Sequence, residues 1–143
     1  MKLYILDTDH FSLIERGVEP VVSRFAHVPA HEIGITIITA EERLRGRLAY
    51  LRFVLSKHKP IAEQLEAYRW LRETIETTRD FSILDFDSRA QAIYQQLCAR
   101  KTRVGAQDLR IASIVLSVSG ILVTRNASDF SQIPDLLFED WTK

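Results

Sequence analysis

A single cysteine, Cys98, stands among 143 residues, so no internal disulfide is possible. It falls in the amphipathic stretch Ala90 to Arg100, where it reads as a half-buried structural residue, in keeping with a reducing, cytoplasmic setting. No apolar run approaches the roughly 20 residues that span a bilayer, so no membrane helix is expected. The opening residues meet Asp7 before reaching the about 7 to 15 apolar residues of a secretory core, so no signal peptide is expected either. An excess of one charge is also missing, because 19 basic and 19 acidic side chains cancel. That balance gives no ground for strong nonspecific attraction to nucleic acid, although a neutral total can hide a local patch. Repeats, low-complexity tracts and linkers are absent. The chain is expected to form one domain over residues 1–143.

What is present is an ordinary globular mixture, 46% hydrophobic and 27% charged. Leu3 to Leu6 is a short apolar run of the kind that forms a strand buried on both faces. Asp7-Thr8-Asp9 then supplies helix-starting side chains, and Gly17 ends that helix. Pro20 opens a second helix. The β-branched run Ile33 to Ile38 predicts a second strand, and helical spacing sets in from Thr39 toward Lys57. Pro60 opens a further helix that pairs with its predecessor as a hairpin. Phe81 to Phe86 predicts a third strand, and Asp87 or Ser88 caps a helix to about Arg100. Gln107 to Val118 is apolar on nearly every side and should lie centrally. Gly120 ends it, Ile121 to Thr124 is a fourth strand, and Leu137–Phe138 an edge strand. Strands alternating with helices imply a mainly parallel sheet joined by right-handed crossovers.

Four acids stand beside these apolar runs. Asp7 closes the first strand, Glu42 follows the second, Asp108 opens the apolar helix, and Asp129 follows the fourth strand. Each has an ordinary explanation as a helix cap, a first-turn acid or a turn residue. All four at one sheet edge is harder to explain that way, because that edge is where α/β proteins bind ligands. Converging carboxylates repel, and a divalent cation held by oxygens relieves the repulsion. Such a cation also suits hydrolysis of phosphodiesters.

The contexts of the acids are more specific. Leu6-Asp7-Thr8-Asp9 resembles the opening motif of PIN-domain ribonucleases. Thr39-Ala40-Glu41-Glu42-Arg43-Leu44-Arg45-Gly46 resembles the second, in a register that selects Glu42 over Glu41. Gly105-Ala106-Gln107-Asp108 followed by an apolar helix resembles the third, and Val123-Thr124-Arg125-Asn126-Ala127-Ser128-Asp129 the fourth. The chain is most similar to the VapC-like toxin branch, in order and over nearly its whole length. The resemblance implies a three-layer α/β/α fold with a central, mainly parallel sheet. It also implies endonucleolytic RNA cleavage with Mg²⁺ or Mn²⁺, a cognate antitoxin of a type II toxin–antitoxin pair, and a homodimer. Asp7, Glu42 and Asp108 would be the core metal ligands, and Asp129 would bind a second metal or orient water. Thr8 and Thr124 would orient ligands, and Asn126 would touch a metal-held water or the phosphate.

Several residues depart from that pattern or lie outside it. Glu41 stands where an apolar residue is commoner and is expected to face solvent; Ser128 stands where a basic residue is frequent. Asp9 reads as a helix cap, and His10 as a helix-surface residue. The basic segment Arg43, Arg45, Arg47, Arg52, Lys57, His58, Lys59 reads first as a solvated face. Its alternative is contact with RNA phosphates, for which Arg45 and, above all, Arg125 are the candidates. Phe11, Tyr68, Trp70 and Tyr94 fit core or interface positions. Val21, Phe25, Leu51, Leu55 and Leu65 suggest more apolar surface than a small monomer buries, leaving a face for a dimer or an antitoxin. Two other readings compete. One is a haloacid-dehalogenase-type phosphatase, through Asp7-Thr8-Asp9, which lacks its late lysine here. The other is a PIN-fold binding module without catalysis, which would have lost the acids.

Overall fold

The computed structural model describes residues 2–143. Five short strands, β1 (Tyr4–Leu6), β2 (Ile33–Thr36), β3 (Ser82–Leu84), β4 (Ile121–Val123) and β5 (Leu137–Glu139), form one sheet in the order β3-β2-β1-β4-β5. Every pairing is parallel, with Leu6 opposite Ile35 on one side and Val123 on the other. The helices are α1 (Thr8–Glu15), α2 (Val21–His27), α3 (Ile37–Ser56), α4 (Ile61–Arg79), α5 (Ser88–Ala99), α6 (Ala106–Ser117) and α7 (Ala127–Phe130).

The strand pleat assigns the two faces. Ile5 points into a core with Leu122, Ile111, Ile114 and Val115, which brings α5 and α6 onto one side. Leu6 points the other way, among Val123, Phe11, Leu13, Val21 and Trp141, which brings α1 and α2 onto the opposite side. A sheet covered on both faces is the expected home for apolar parallel strands, and the result is the three-layer α/β/α arrangement that the family resemblance implies. α6 is the central helix, with Ile111, Ala112, Ile114 and Val115 buried. The α3–α4 hairpin has its own small core of Leu51, Val54 and Ala67.

Four local expectations change. The second strand stops at Thr36 rather than Ile38, because the Thr36 hydroxyl accepts the Thr39 N–H at 3.1 Å and so caps α3. The end of α6 turns through Ser119, whose φ is 54°, while Gly120 is needed for space. A Cβ there would lie 2.7 Å from Ile5 Cδ1 and 3.2 Å from the Leu3 carbonyl. Asp7, not Asp9, is the cap of α1, its Oδ1 accepting the His10 N–H at 2.7 Å. Cys98 is exposed rather than half-buried, since the buried stripe of α5 runs through Ala90 and Leu97.

Candidate active site

Strand order fixes where a crevice opens. From β1 the chain steps to β2 and β3 on one side, then returns to place β4 and β5 on the other, so the switch point lies between β1 and β4. Loops leave the carboxyl ends of these strands in opposite directions there, which makes the usual ligand crevice of an open α/β sheet. Asp7 is the first residue after β1, joined to β4 by its N–H to the Val123 carbonyl at 3.0 Å. Thr124, Arg125 and Asn126 follow β4. Glu42 comes from the second turn of α3 and Asp108 from the first turn of α6.

A cleft of about 550 Å³ opens at this point, lined by Asp7, Thr8, Asp9, Glu42, Asp108, Arg125 and Asn126. The four predicted acids are brought into electrostatic contact. Burial raises the pKa of Asp108, and the charges of Glu42, Asp7 and Asp129, in that order, raise it further. Asp129, on α7, is not among the residues that line the cleft; its Oδ2 accepts from Asn126 Nδ2 at 3.0 Å.

The supporting residues divide. The Thr8 hydroxyl donates to Glu42 Oε1 at 2.8 Å and lies 3.1 Å from the buried Thr39 hydroxyl. The Thr124 N–H donates to the Glu139 carbonyl at 2.8 Å, and its Oγ1 accepts the Asn126 N–H at 3.0 Å and fixes the loop that carries Asn126. Arg125 is paired with Asp9, Nε 2.6 Å from Oδ2 and Nη2 donating to Oδ1 at 3.1 Å. Asp9 is therefore the partner of a rim arginine rather than a cap. Arg45 lies outside the cleft, clasped by Glu41 at 2.5 and 2.6 Å, and Glu41 faces solvent as expected.

The basic segment is mostly a solvated face, as expected, with Arg45, Arg52, Lys57 and His58 exposed, while Arg43 and Arg47 are drawn inward. Arg43 is half-buried over the Phe11 ring, donates to Ser12 Oγ at 2.7 Å and pairs with Glu15. Burial, then the charge of Arg47, lowers its pKa. Arg47 Nε donates to Thr74 Oγ1 at 3.0 Å, with its guanidinium over Trp70. These two line a groove of about 940 Å³ between α1, α3 and α4, which shares Thr8 and Glu42 with the acidic cleft.

Sequence reasoning missed His10. It is 0% exposed, not on the surface, with Nδ1 3.3 Å from Asp7 Oδ1. The available signal was the three-residue spacing from Asp7, which places both on one side of α1. The ligand atoms of Asp7, Asp9 and His10 lie within 4.8 Å of one another. However, Asp9 is held by Arg125, and His10 Nε2 accepts the Trp141 N–H at 3.2 Å. Asp7, Glu42 and Asp108, which line the cleft, offer oxygen donors of the kind a hard divalent cation takes, and burial, then the charges of Glu42, Asp7 and Asp129, disfavours a bare charge on Asp108.

The parallel sheet with an acidic crevice at its switch point is a fold shared with solved VapBC structures. No family model matches the chain. Over its full length it is similar to DNA-bound VapBC from Salmonella typhimurium, with a TM-score of 0.76, 27% identity and 99% of both chains covered. It is likewise similar in fold to VapBC-1 from nontypeable Haemophilus influenzae, with a TM-score of 0.74, 22% identity and 99% of both chains covered. Among curated proteins, Ribonuclease VapC1 of Haemophilus influenzae is 45% identical over 40 residues, 28% of this chain and 30% of that protein. Ribonuclease VapC2 of Rickettsia felis is 34% identical over 65 residues, 43% and 48% respectively. The chain thus spans less than half the length of the curated relatives it matches.

Proposed function

We propose that this chain is a divalent-metal-dependent endoribonuclease, the toxin of a toxin–antitoxin pair, using Mg²⁺ or Mn²⁺ in the cytoplasm. The observation that carries the reading is the meeting of Asp7, Glu42 and Asp108 in the switch-point crevice, where burial and then the charges of Glu42, Asp7 and Asp129 raise the pKa of Asp108. Asp7, Glu42 and Asp108 would hold the cation, with Asp129 binding a second or orienting water. When bound, the cation supplies Lewis acidity and neutralises charge developing on the phosphoryl group.

The chain's own residues then have definable tasks. Thr8 occupies one oxygen of Glu42 and leaves the other to face the ligand. Asn126 holds the Asp129 carboxylate, and Thr124 holds Asn126. Arg125 reaches RNA phosphate by exchanging its partner Asp9 for the backbone, an exposed pair being weak enough to exchange. Arg45 plays at most a peripheral part, because Glu41 already satisfies it. An antitoxin would silence the site most directly with an arginine that replaces the cation's charge. The phosphatase alternative loses ground because the chain has no lysine between Lys101 and Lys143 to serve its late strand-loop motif.

The test is cleavage of a structured RNA pool by the purified chain in Mg²⁺ or Mn²⁺ and in EDTA, with Asp7→Asn and Asp108→Asn beside the wild type. Metal-dependent cutting should fall to background in both folded variants. Undiminished cutting in either would remove that residue from the site, and no cutting by folded wild type in any metal would favour a binding module.

A further inference from the structure

A fully buried imidazole in a layer of Phe11, Leu13 and Trp141 needs a reason, because an apolar residue would fill the space without desolvating two nitrogens. His10 Nε2 accepts the backbone N–H of Trp141 at 3.2 Å. A nitrogen that accepts carries no proton, so the neutral ring bears its proton on Nδ1. Asp140 Oδ1, 3.7 Å from Nε2, does not compete, since it is taken by the Thr142 N–H and hydroxyl at 2.8 and 2.6 Å. Nδ1 is buried and has no aligned hydrogen-bond partner; Asp7 Oδ1 lies 3.3 Å away. That oxygen already accepts the His10 N–H at 2.7 Å. Backbone and ring of one residue therefore converge on one oxygen of Asp7.

We infer that His10 is a positioning residue: its ring, oriented by the segment after β5, pins Asp7 Oδ1 and turns Oδ2 toward the acidic cleft. The inference rests on the reading of Asp7 as a cation ligand. Direct ligation by His10 is a different idea that the geometry disfavours, because neither ring nitrogen offers a free lone pair. Residues that hold a ligand in this way typically contribute 10- to 100-fold to metal affinity.

Two substitutions separate the two ends of the ring. His10→Asn keeps an N–H near the Nδ1 position and drops the acceptor for Trp141. His10→Gln keeps that acceptor and removes the nitrogen that lies 3.3 Å from Asp7 Oδ1. Mn²⁺ binding to the full chain is measured by electron paramagnetic resonance, with Trp141 fluorescence in a Trp70→Phe background reporting docking of the segment after β5. The expected result for His10→Gln is unchanged Trp141 emission with Mn²⁺ affinity reduced roughly 10- to 100-fold. For His10→Asn it is altered emission with affinity within about threefold of wild type. Equal affinity in all three proteins, or equal loss in both variants, overturns the positioning role. If the Gln variant does not fold, the Asn variant decides: retained affinity supports the inference, and a loss like that of His10→Leu overturns it. A wild type that binds no Mn²⁺ instead overturns the cation-site reading on which the inference stands.

Discussion

Asp108 is the side chain on which the acidic cleft exerts its largest visible effect. Burial and three neighbouring carboxylates raise its pKa above the ordinary 3.8, so its charged form is disfavoured in the folded state. A carboxyl that holds its proton more tightly when folded adds stability below its unfolded pKa, and loses it as pH rises through the folded value. In EDTA, stability should therefore decline as pH rises from 3.8 through that raised value, and Asp108→Asn should flatten this part of the profile. At neutral pH the variant should melt above wild type in EDTA and below it in Mn²⁺, as scanning calorimetry would show. The same order in both buffers would mean that Asp108 binds no cation. The four acids were legible in the sequence because each abuts an apolar run. His10 and Arg43 were not, because periodicity records a residue's own character and not its distant partners. Trp141 lies 131 positions from His10, and Glu15 and Phe11 meet Arg43 from another helix.

Elements were legible wherever burial follows a simple period. The apolar run of β1 and the all-round apolar α6 occur where their patterns place them, because a strand between two helical layers must be apolar on both faces. Boundaries were less legible, since a single side-chain hydrogen bond decides them. Ile37 and Ile38 favour a strand by propensity, yet the Thr36 cap commits them to the first turn of α3. The turn from α6 to β4 gives the sharpest test at this scale. Gly120→Ala would press its Cβ toward Ile5 Cδ1 and the Leu3 carbonyl, and should cost about 1–3 kcal/mol in urea unfolding as overpacking does. Ile5→Val deletes that Cδ1 and alone should cost about 0.5–1.5 kcal/mol. Combined, the two should cost clearly less than their sum, because the second relieves the clash created by the first. Simple additivity would place the strain elsewhere, at the carbonyl of Leu3.

Across the whole molecule the cancelled charge conceals a division of labour between two faces of α4. Trp70, Glu73, Thr74 and Thr77 look into the groove shared with α1 and α3. About 180° around the helix, at 100° per residue, Ile61, Leu65, Tyr68 and Ile75 form an apolar stripe. Ile61 is 66% and Leu65 64% exposed, high for aliphatic side chains aligned on one face. A second copy of the chain would cover this stripe economically, since a twofold axis presents each residue twice. The homodimer expected from the sequence should therefore be broken by Leu65→Glu with Tyr68→Glu, which places four carboxylates in a desolvated interface. Truncating buried anchors of this kind commonly costs about 2 kcal/mol or more apiece. Light scattering should show a dimeric wild type and a monomeric variant at the same concentration. Mn²⁺ affinity should be unchanged, because the stripe faces away from the groove that joins the acidic cleft. A variant that remains dimeric would move the interface off α4, and a wild type monomeric at every concentration would leave the stripe to a partner of another sequence.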